Sequence, residues 1–321
     1  MLEIFLRNWL QNAARQKIYE AAQKAAQEQF AGGRESEDEP AANEPAESSS
    51  EPKQRPCDVA VVFALGIEAG GLEDRLSGAI TTKAAGCTFI QGGLQGRHIA
   101  LVAAGVGQQQ AAAATEVLIA GHRPAWVISA GFAGGLQPQL KQNDFLLASE
   151  IADASGRCLA IDLFVSPDAL ARTPGVHVGK LLTVDKIVHR AADKQTLGEQ
   201  HQALAVDMES LAVAEVCRQQ KTRFLSVRIV SDPMDHELPP DIDRLVRQNS
   251  KAGRLGAAVG AVVGRPSSVK EMLKLKEDAL IATDRLAKFL EGVIVQLTPL
   301  GQPAAATATP QLGNEPRNDP A

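Results

Sequence analysis

Residues 203–232 read ALAVDMESLAVAEVCRQQKTRFLSVRIVSD. The spacing predicts a strand over Ala203–Asp207, a helix over Met208–Gln219 and a second strand over Arg223–Val230. Strand, helix and strand within thirty residues is the unit from which sheets with parallel strands are built. Both strands deliver acids at or just beyond their carboxyl ends: Asp207 and Glu209 after the first, Asp232 after the second.

The same alternation continues outward. Further strands are expected at Asp58–Leu65, Thr88–Gln91, His98–Ala104, Ala125–Ala130, Asp144–Ser149 and Val176–Val184. Further helices are expected at Glu68–Leu76, Gln108–Gly121, Asp193–Glu199 and 268–295. Runs such as VAVVFAL and AWVISA are apolar without interruption, as in strands covered on both faces. The fold class is therefore a single α/β domain over 57–297, with a mixed, mostly parallel central sheet flanked by helices.

Outside it, residues 1–30 carry Leu2, Leu6, Leu10, Ala13 and Ala14 at helical spacing, so an amphipathic N-terminal helix is expected. Docking on the domain or a partner subunit is the first reading of that face, and weak contact with a membrane surface the second. Residues 31–56 hold seven acids against three bases with many Pro and Ser, the composition of a disordered acidic linker. Residues 298–321 read as a second disordered tail.

The chain has 321 residues and a formal net charge of −5, with 45% hydrophobic residues. Most of the negative charge lies in 31–56, so the body is near neutral and lacks the basic footprint that nucleic acid requires. Cys57, Cys87, Cys158 and Cys217 are far apart and six histidines are scattered, which favours neither a disulfide framework nor a metal site. With no export-type leader in MLEIFLRNWLQNAARQ, a cytoplasmic location is expected. No cofactor is expected.

In α/β sheets ligands gather where strands give way to loops. Glu68, in ALGIEAGGL, follows the first strand and also suits the first turn of a helix. Gly107, in AAGVG, opens an alanine-rich helix whose N-terminus could meet an anion, although the loop lacks the remaining residues of a dinucleotide or P-loop fingerprint. In SAGFAGGL, three glycines follow a buried strand and bring backbone close to a neighbour or a ligand. Asp207 reads as a helix N-cap, Asp232 also suits a turn, and Arg228, inside a strand, reads as a buried ion-pair partner.

These blocks, ALGIEAGGL, AAGVGQQQAAAAT, SAGFAGGLQPQLKQNDFL and AVDMES followed by VRIVSD, together resemble the nucleoside phosphorylase/nucleosidase family from about Asp58 to about Pro240. That family contains purine nucleoside phosphorylase and 5′-methylthioadenosine/S-adenosylhomocysteine nucleosidase. The resemblance implies cleavage of the N-glycosidic bond of a purine nucleoside. Glu209 would accept hydrogen bonds from the ribose hydroxyls and Met208 would pack on the sugar. Asp232 would be the general acid toward the purine N7, and Glu68 would polarise the attacking water. The backbone at Ile187 and Val188 would line the base pocket, with Ser231, Gly107, Phe132, Ala133 and Gly134 completing the binding residues. Family members usually self-associate, so a homo-oligomer is implied.

An aspartate at the base side goes, in that family, with 6-aminopurines such as adenine. Where phosphorylases place an Arg and a Ser, this chain has Ser129 and Phe132, which removes a cation and a hydroxyl from a phosphate site. Water is thus favoured as nucleophile, with a 5′-substituted adenosine such as 5′-methylthioadenosine or S-adenosylhomocysteine as substrate. Phosphate as nucleophile, including the hopanoid-associated kind of phosphorylase, is the alternative; Arg75, Arg97 and Arg228 would be its candidate cations. Phe132, in place of Ser, and Ile187, in place of an aromatic, depart from the nucleosidase pattern. They leave a catalytically silent nucleoside-binding protein as a third reading.

Overall fold

A computed structural model describes residues 57–163, 173–239, 242–243 and 266–297. The expectations for 1–30, 31–56 and 298–321 lie outside these residues. Among those described, the strands are β1 Val59–Phe63, β2 Ser77–Ala84, β3 Cys87–Leu94, β4 Arg97–Ala103, β5 Trp126–Gly135, β6 Phe145–Asp153, β7 Cys158–Ala160, β8 Val176–Thr183, β9 Ala205–Asp207 and β10 Arg223–Asp232. The helices are α1 Gly66–Glu73, α2 Gln108–His122, α3 Ala191–His201, α4 Ser210–Gln219 and α5 Pro266–Gln296.

β1 explains why its sequence is apolar throughout. It lies between β4 and β5, parallel to both, and all five residues are buried. Val59, Val61 and Phe63 face a core with Leu72 of α1 and Leu286 and Leu290 of α5. Ala60 and Val62 face the opposite core, with Ala114 and Leu118 of α2 and Leu211 of α4. A strand with helices on both faces cannot alternate apolar with polar residues.

One half of the sheet is an open wing, β5-β1-β4-β3-β2. The other half closes on itself: β5 pairs with β10, β10 with β6, β6 with β8, β8 with β9, and β9 again with β5. The sheet is mixed, as expected. Parallel ladders join β4-β1-β5-β10 and β6-β8-β9, whereas antiparallel ladders form the outer wing and two joints of the closure.

Three strands differ most from the sequence reading, and one of them, β7, is a three-residue strand that was not expected. β2 has every residue exposed, so it carried no apolar signal. β5 extends to Gly135, taking in the glycines of SAGFAGG that were expected to lie beyond the strand. Small residues here mark a strand closely approached by side chains, as the site geometry explains.

α5 closes the first core. Ala282, Leu286, Leu290 and Ile294 recur every fourth position, on one face, and all are buried. Phe289 stacks on Phe145 with ring centroids 4.2 Å apart. Arg75 ties the end of α1 to Glu291 and Asp284 of α5 at 3.2 and 3.1 Å.

Candidate active site

The edge of β5 passes from one neighbour to another. It pairs with β1 over Trp126–Ser129 and with β9 at Gly134 and Gly135. Between the two ladders, where β1 has turned into α1, a carboxylate enters. Glu68 Oε1 accepts the Phe132 N–H at 2.8 Å, and Oε2 accepts the N–H groups of Ala64 and Leu65 at 3.0 and 2.8 Å. Glu68 is thus the first-turn acid that the helix start suggested, and it is also anchored to β5. A carboxylate offers about four acceptor positions, so three backbone donors leave about one open. Gly131 makes room for it: a Cβ there would lie 2.7 Å from Glu68 Oε1.

Glu209 follows β9 at the start of α4. Its Oε1 accepts the Gly107 N–H at 2.8 Å, and Oε2 accepts the Met208 N–H at 3.3 Å. The donor at Gly107, expected to meet an anionic ligand, therefore meets a carboxylate of the protein itself. Burial pushes the Glu209 carboxyl up to about 8, assisted by Asp207 and Glu68 and opposed by Arg228. Burial likewise raises Glu68, against its backbone donors and Arg228. The same guanidinium steadies both carboxyls.

Asp232 ends β10 beside a bulge. Val230 pairs with Ala133 and Asp232 with Gly134, leaving Ser231 as the extra residue. A Cβ on Gly134 would lie 3.1 Å from Asp232 Oδ2 and 3.3 Å from Val206 of β9. Ser231 Oγ donates to Asp232 Oδ1 and also lies 3.3 Å from the Ala133 carbonyl. Burial raises the Asp232 carboxyl, against Lys194, Ser231 and His236.

Two of the acids thus reach the last five residues of β5, Glu68 from α1 and Asp232 from β10, and the third stands at the β9–α4 junction. Glu68 sits at Gly131–Phe132 and Asp232 at Gly134, while Glu209 follows the strand that pairs with Gly134 and Gly135. Met208, Ile187 and Val188 are half-buried, and Val188 packs near Leu182 and Val206. The Phe132 side chain packs on the core under α5, and Ala133 on the opposite core.

Beneath the acids lies a polar cluster. Arg228 donates to Asp207 Oδ2 from Nε at 3.1 Å and from Nη2 at 2.7 Å. Nη2 also meets Ser129 Oγ at 2.7 Å and Ser210 Oγ at 2.8 Å. Asp207 further accepts from Thr183 Oγ1 and from the Ser210 N–H, so it holds the helix start and neutralises the arginine together. Arg228 is the buried ion-pair partner that its place in a strand suggested; the N-cap is Glu209 and not Asp207 as expected, although the Asp207 carboxylate accepts the first helical N–H, and that Asp207 and Arg228 are each other's partners was not legible.

Sequence reasoning missed Lys194 altogether. AADKQTLGEQH reads as a surface helix, yet Lys194 is fully buried and its Nζ lies 2.6 Å from Asp232 Oδ2.

The sequence pattern of the Phosphorylase superfamily matches residues 58–259. The chain belongs to the Phosphorylase superfamily. It is 26% identical over 217 residues to the 5′-methylthioadenosine/S-adenosylhomocysteine nucleosidase of Tolumonas auensis, covering 60% of this chain and 94% of that protein. It is 27% identical over 212 residues to the nucleosidase of the same name from Bacillus subtilis, covering 59% and 92%. Among solved structures of Phosphorylase superfamily folds, it resembles the Neisseria meningitidis 5′-methylthioadenosine/S-adenosylhomocysteine nucleosidase in complex with methylthio-immucillin-A. That likeness has a TM-score of 0.58 and 22% identity, over 75% of this chain and 99% of the other.

Proposed function

We propose that this protein is a nucleosidase that hydrolyses the N-glycosidic bond of a 5′-substituted adenosine, such as 5′-methylthioadenosine or S-adenosylhomocysteine, and releases adenine. The observation that carries this reading is that three buried acids stand at strand ends around the carboxyl end of β5: Glu68 and Asp232 against it, and Glu209 just after β9, which pairs with it. The two named relatives of known activity, matched over more than nine-tenths of their length, support the substrate class.

Cleavage leaves positive charge on the sugar and negative charge on the base, so it needs an acid at one end and carboxylates at the other. Glu68, with about one acceptor position open, takes a proton from water as its oxygen attacks C1′. The bond between C1′ and the purine nitrogen breaks, its electrons pass to the base, and Asp232 protonates N7. Glu209 retains about two acceptor positions for the ribose hydroxyls, whose hydrogen bonds favour its ionised form. Met208 packs on the sugar, Ile187 and Val188 flank the base, and Ser231 and Gly134 border the acid.

Water suits this site better than phosphate. A phosphate dianion would have to sit beside the buried carboxyls of Glu68 and Glu209. The three arginines considered as its partners are committed elsewhere: Arg228 to Asp207, Arg75 to Glu291 and Asp284, and Arg97 to the Val295 carbonyl. A self-associated form belongs to the same reading, supported by the exposed edge strand β2 with Ile80 two-thirds exposed.

The test is adenine release from 5′-methylthioadenosine by the purified chain, with and without phosphate. Release at the same rate in both is expected. Release that requires phosphate would make the protein a phosphorylase, and no release from several 5′-substituted adenosines would leave a silent binding protein.

A further inference from the structure

Lys194 is fully buried against Asp232, and the mechanism above does not use it. Its position is built by close packing. α3 lies so near the end of β5 that a Cβ on Gly198 would fall 2.3 Å from the Leu136 carbonyl. Gln137 Nε2 fastens the far end of the helix, reaching the carbonyls of Gly198 and Ala203 at 3.2 Å. The helix thereby drives Lys194 inward, where its Nζ donates to Asp232 Oδ2 at 2.6 Å, to the His236 carbonyl at 2.7 Å and to the Pro233 carbonyl at 3.0 Å. Three acceptors for three N–H groups satisfy an ammonium completely, which is what makes burial of the charge tolerable.

The two oxygens of Asp232 are consequently unlike. Oδ2 is held between the ammonium and the bare backbone of Gly134. Oδ1 faces only the Ser231 hydroxyl, which can turn its proton to the Ala133 carbonyl instead.

We propose that Lys194 is a positioning residue for Asp232: its ammonium pins Oδ2 and leaves Oδ1 as the oxygen that carries the proton to the departing base. The inference rests on the reading of Asp232 as the base-side acid. When Oδ1 is protonated, Ser231 donates to Ala133. When the proton passes to the purine, the carboxylate left behind finds its counter-charge already in place, and Ser231 swings back to Oδ1. Lys194 strengthens the acid by stabilising its conjugate base, and so lowers the pH at which Asp232 loses its proton. The other groups facing Asp232 are Ser231 of the same strand and His236 of the following loop; Gly134 and Val206 bring no charge from β5 and β9.

Lys194→Met removes the charge and the donors. Lys194→Gln removes the charge but keeps an N–H donor, and serves where the methionine variant fails to fold. Two measurements are made on each folded variant against the wild type: the pH dependence of kcat for adenine release, and the pH titration of the Asp232 carboxyl carbon by 13C NMR, assigned by its loss in Asp232→Asn. The expected result is a titration midpoint, and an alkaline limb of kcat, about one pH unit or more higher in the variants. On the acid plateau, where Asp232 is protonated in every protein, kcat falls about tenfold, with KM changed by less than about threefold. A merely structural lysine would lower stability without moving the limb. An unchanged midpoint in a folded variant overturns the inference. Failure of the wild type to release adenine would defeat the nucleosidase reading instead, and the carboxyl titration would still decide what Lys194 does to Asp232.

Discussion

Asp232→Asn retains the shape of the side chain and an oxygen for Lys194, but removes the acid that the proposed mechanism sets against the base. Steady-state kinetics should show kcat reduced by about 10²-fold or more with KM within a few-fold of the wild type; an unchanged kcat would remove Asp232 from the mechanism. Glu209→Gln should damage both constants, because the proposed mechanism has that carboxylate hold the ribose before and during bond cleavage. Glu209 also has a signature in stability. Its carboxyl is raised from 4.5 to about 8 in the folded protein, so between those values the folded state holds a proton that the unfolded chain has released. Stability conferred by the protonated form is therefore present at low pH and lost as pH rises toward 8, with a slope of up to about 1.4 kcal/mol per pH unit for one proton. Urea unfolding of the ligand-free protein from pH 5 to pH 8 should show Glu209→Gln gaining on the wild type as pH rises. A constant difference between the two would contradict the burial that raises this group.

Elements place these residues by approaching each other where glycine permits it. Gly131 has φ +155 and lies under Glu68, where a methyl group would come 2.7 Å from Oε1. Gly131→Ala should strain the backbone, since L residues rarely adopt that φ, and displace the carboxylate from the Phe132 N–H. A loss of kcat of about 10²-fold, with a circular dichroism spectrum like the wild type, is the expected outcome; full activity would show that Glu68 need not stand there. Gly198 is different in kind, because the clash is with the backbone carbonyl of Leu136 at 2.3 Å. Gly198→Ala should push α3 off β5 and cost about 1–3 kcal/mol in chemical unfolding. These glycines were visible in the sequence as a cluster and as one residue in a polar helix. What they accommodate was not visible, because the neighbour comes from 62 or more residues away in each case.

At the scale of the molecule, two cores back the sheet, and α5 seals one of them from the far end of the described chain. Leu286 is fully buried among Val61, Leu72 and Leu290, and Leu286→Ala should cost about 2–5 kcal/mol, measured as a lower urea midpoint with an unchanged slope. A loss below about 1 kcal/mol would mean that α5 docks less tightly than its buried face implies. The alternation of strand and helix, the uninterrupted apolar strands and the acids at strand ends were all legible in order along the chain, because burial on two faces and helix starts impose local patterns. The α/β class and the residues Glu68, Glu209 and Asp232 followed from those patterns and the resemblance they carry. Closure of half the sheet, the bulge at Ser231, the pairing of Arg228 with Asp207 and the burial of Lys194 against Asp232 belong to the tertiary structure alone. Each depends on a partner brought in from another element, and a lysine in a polar helix carries no mark of which acid, if any, it will meet.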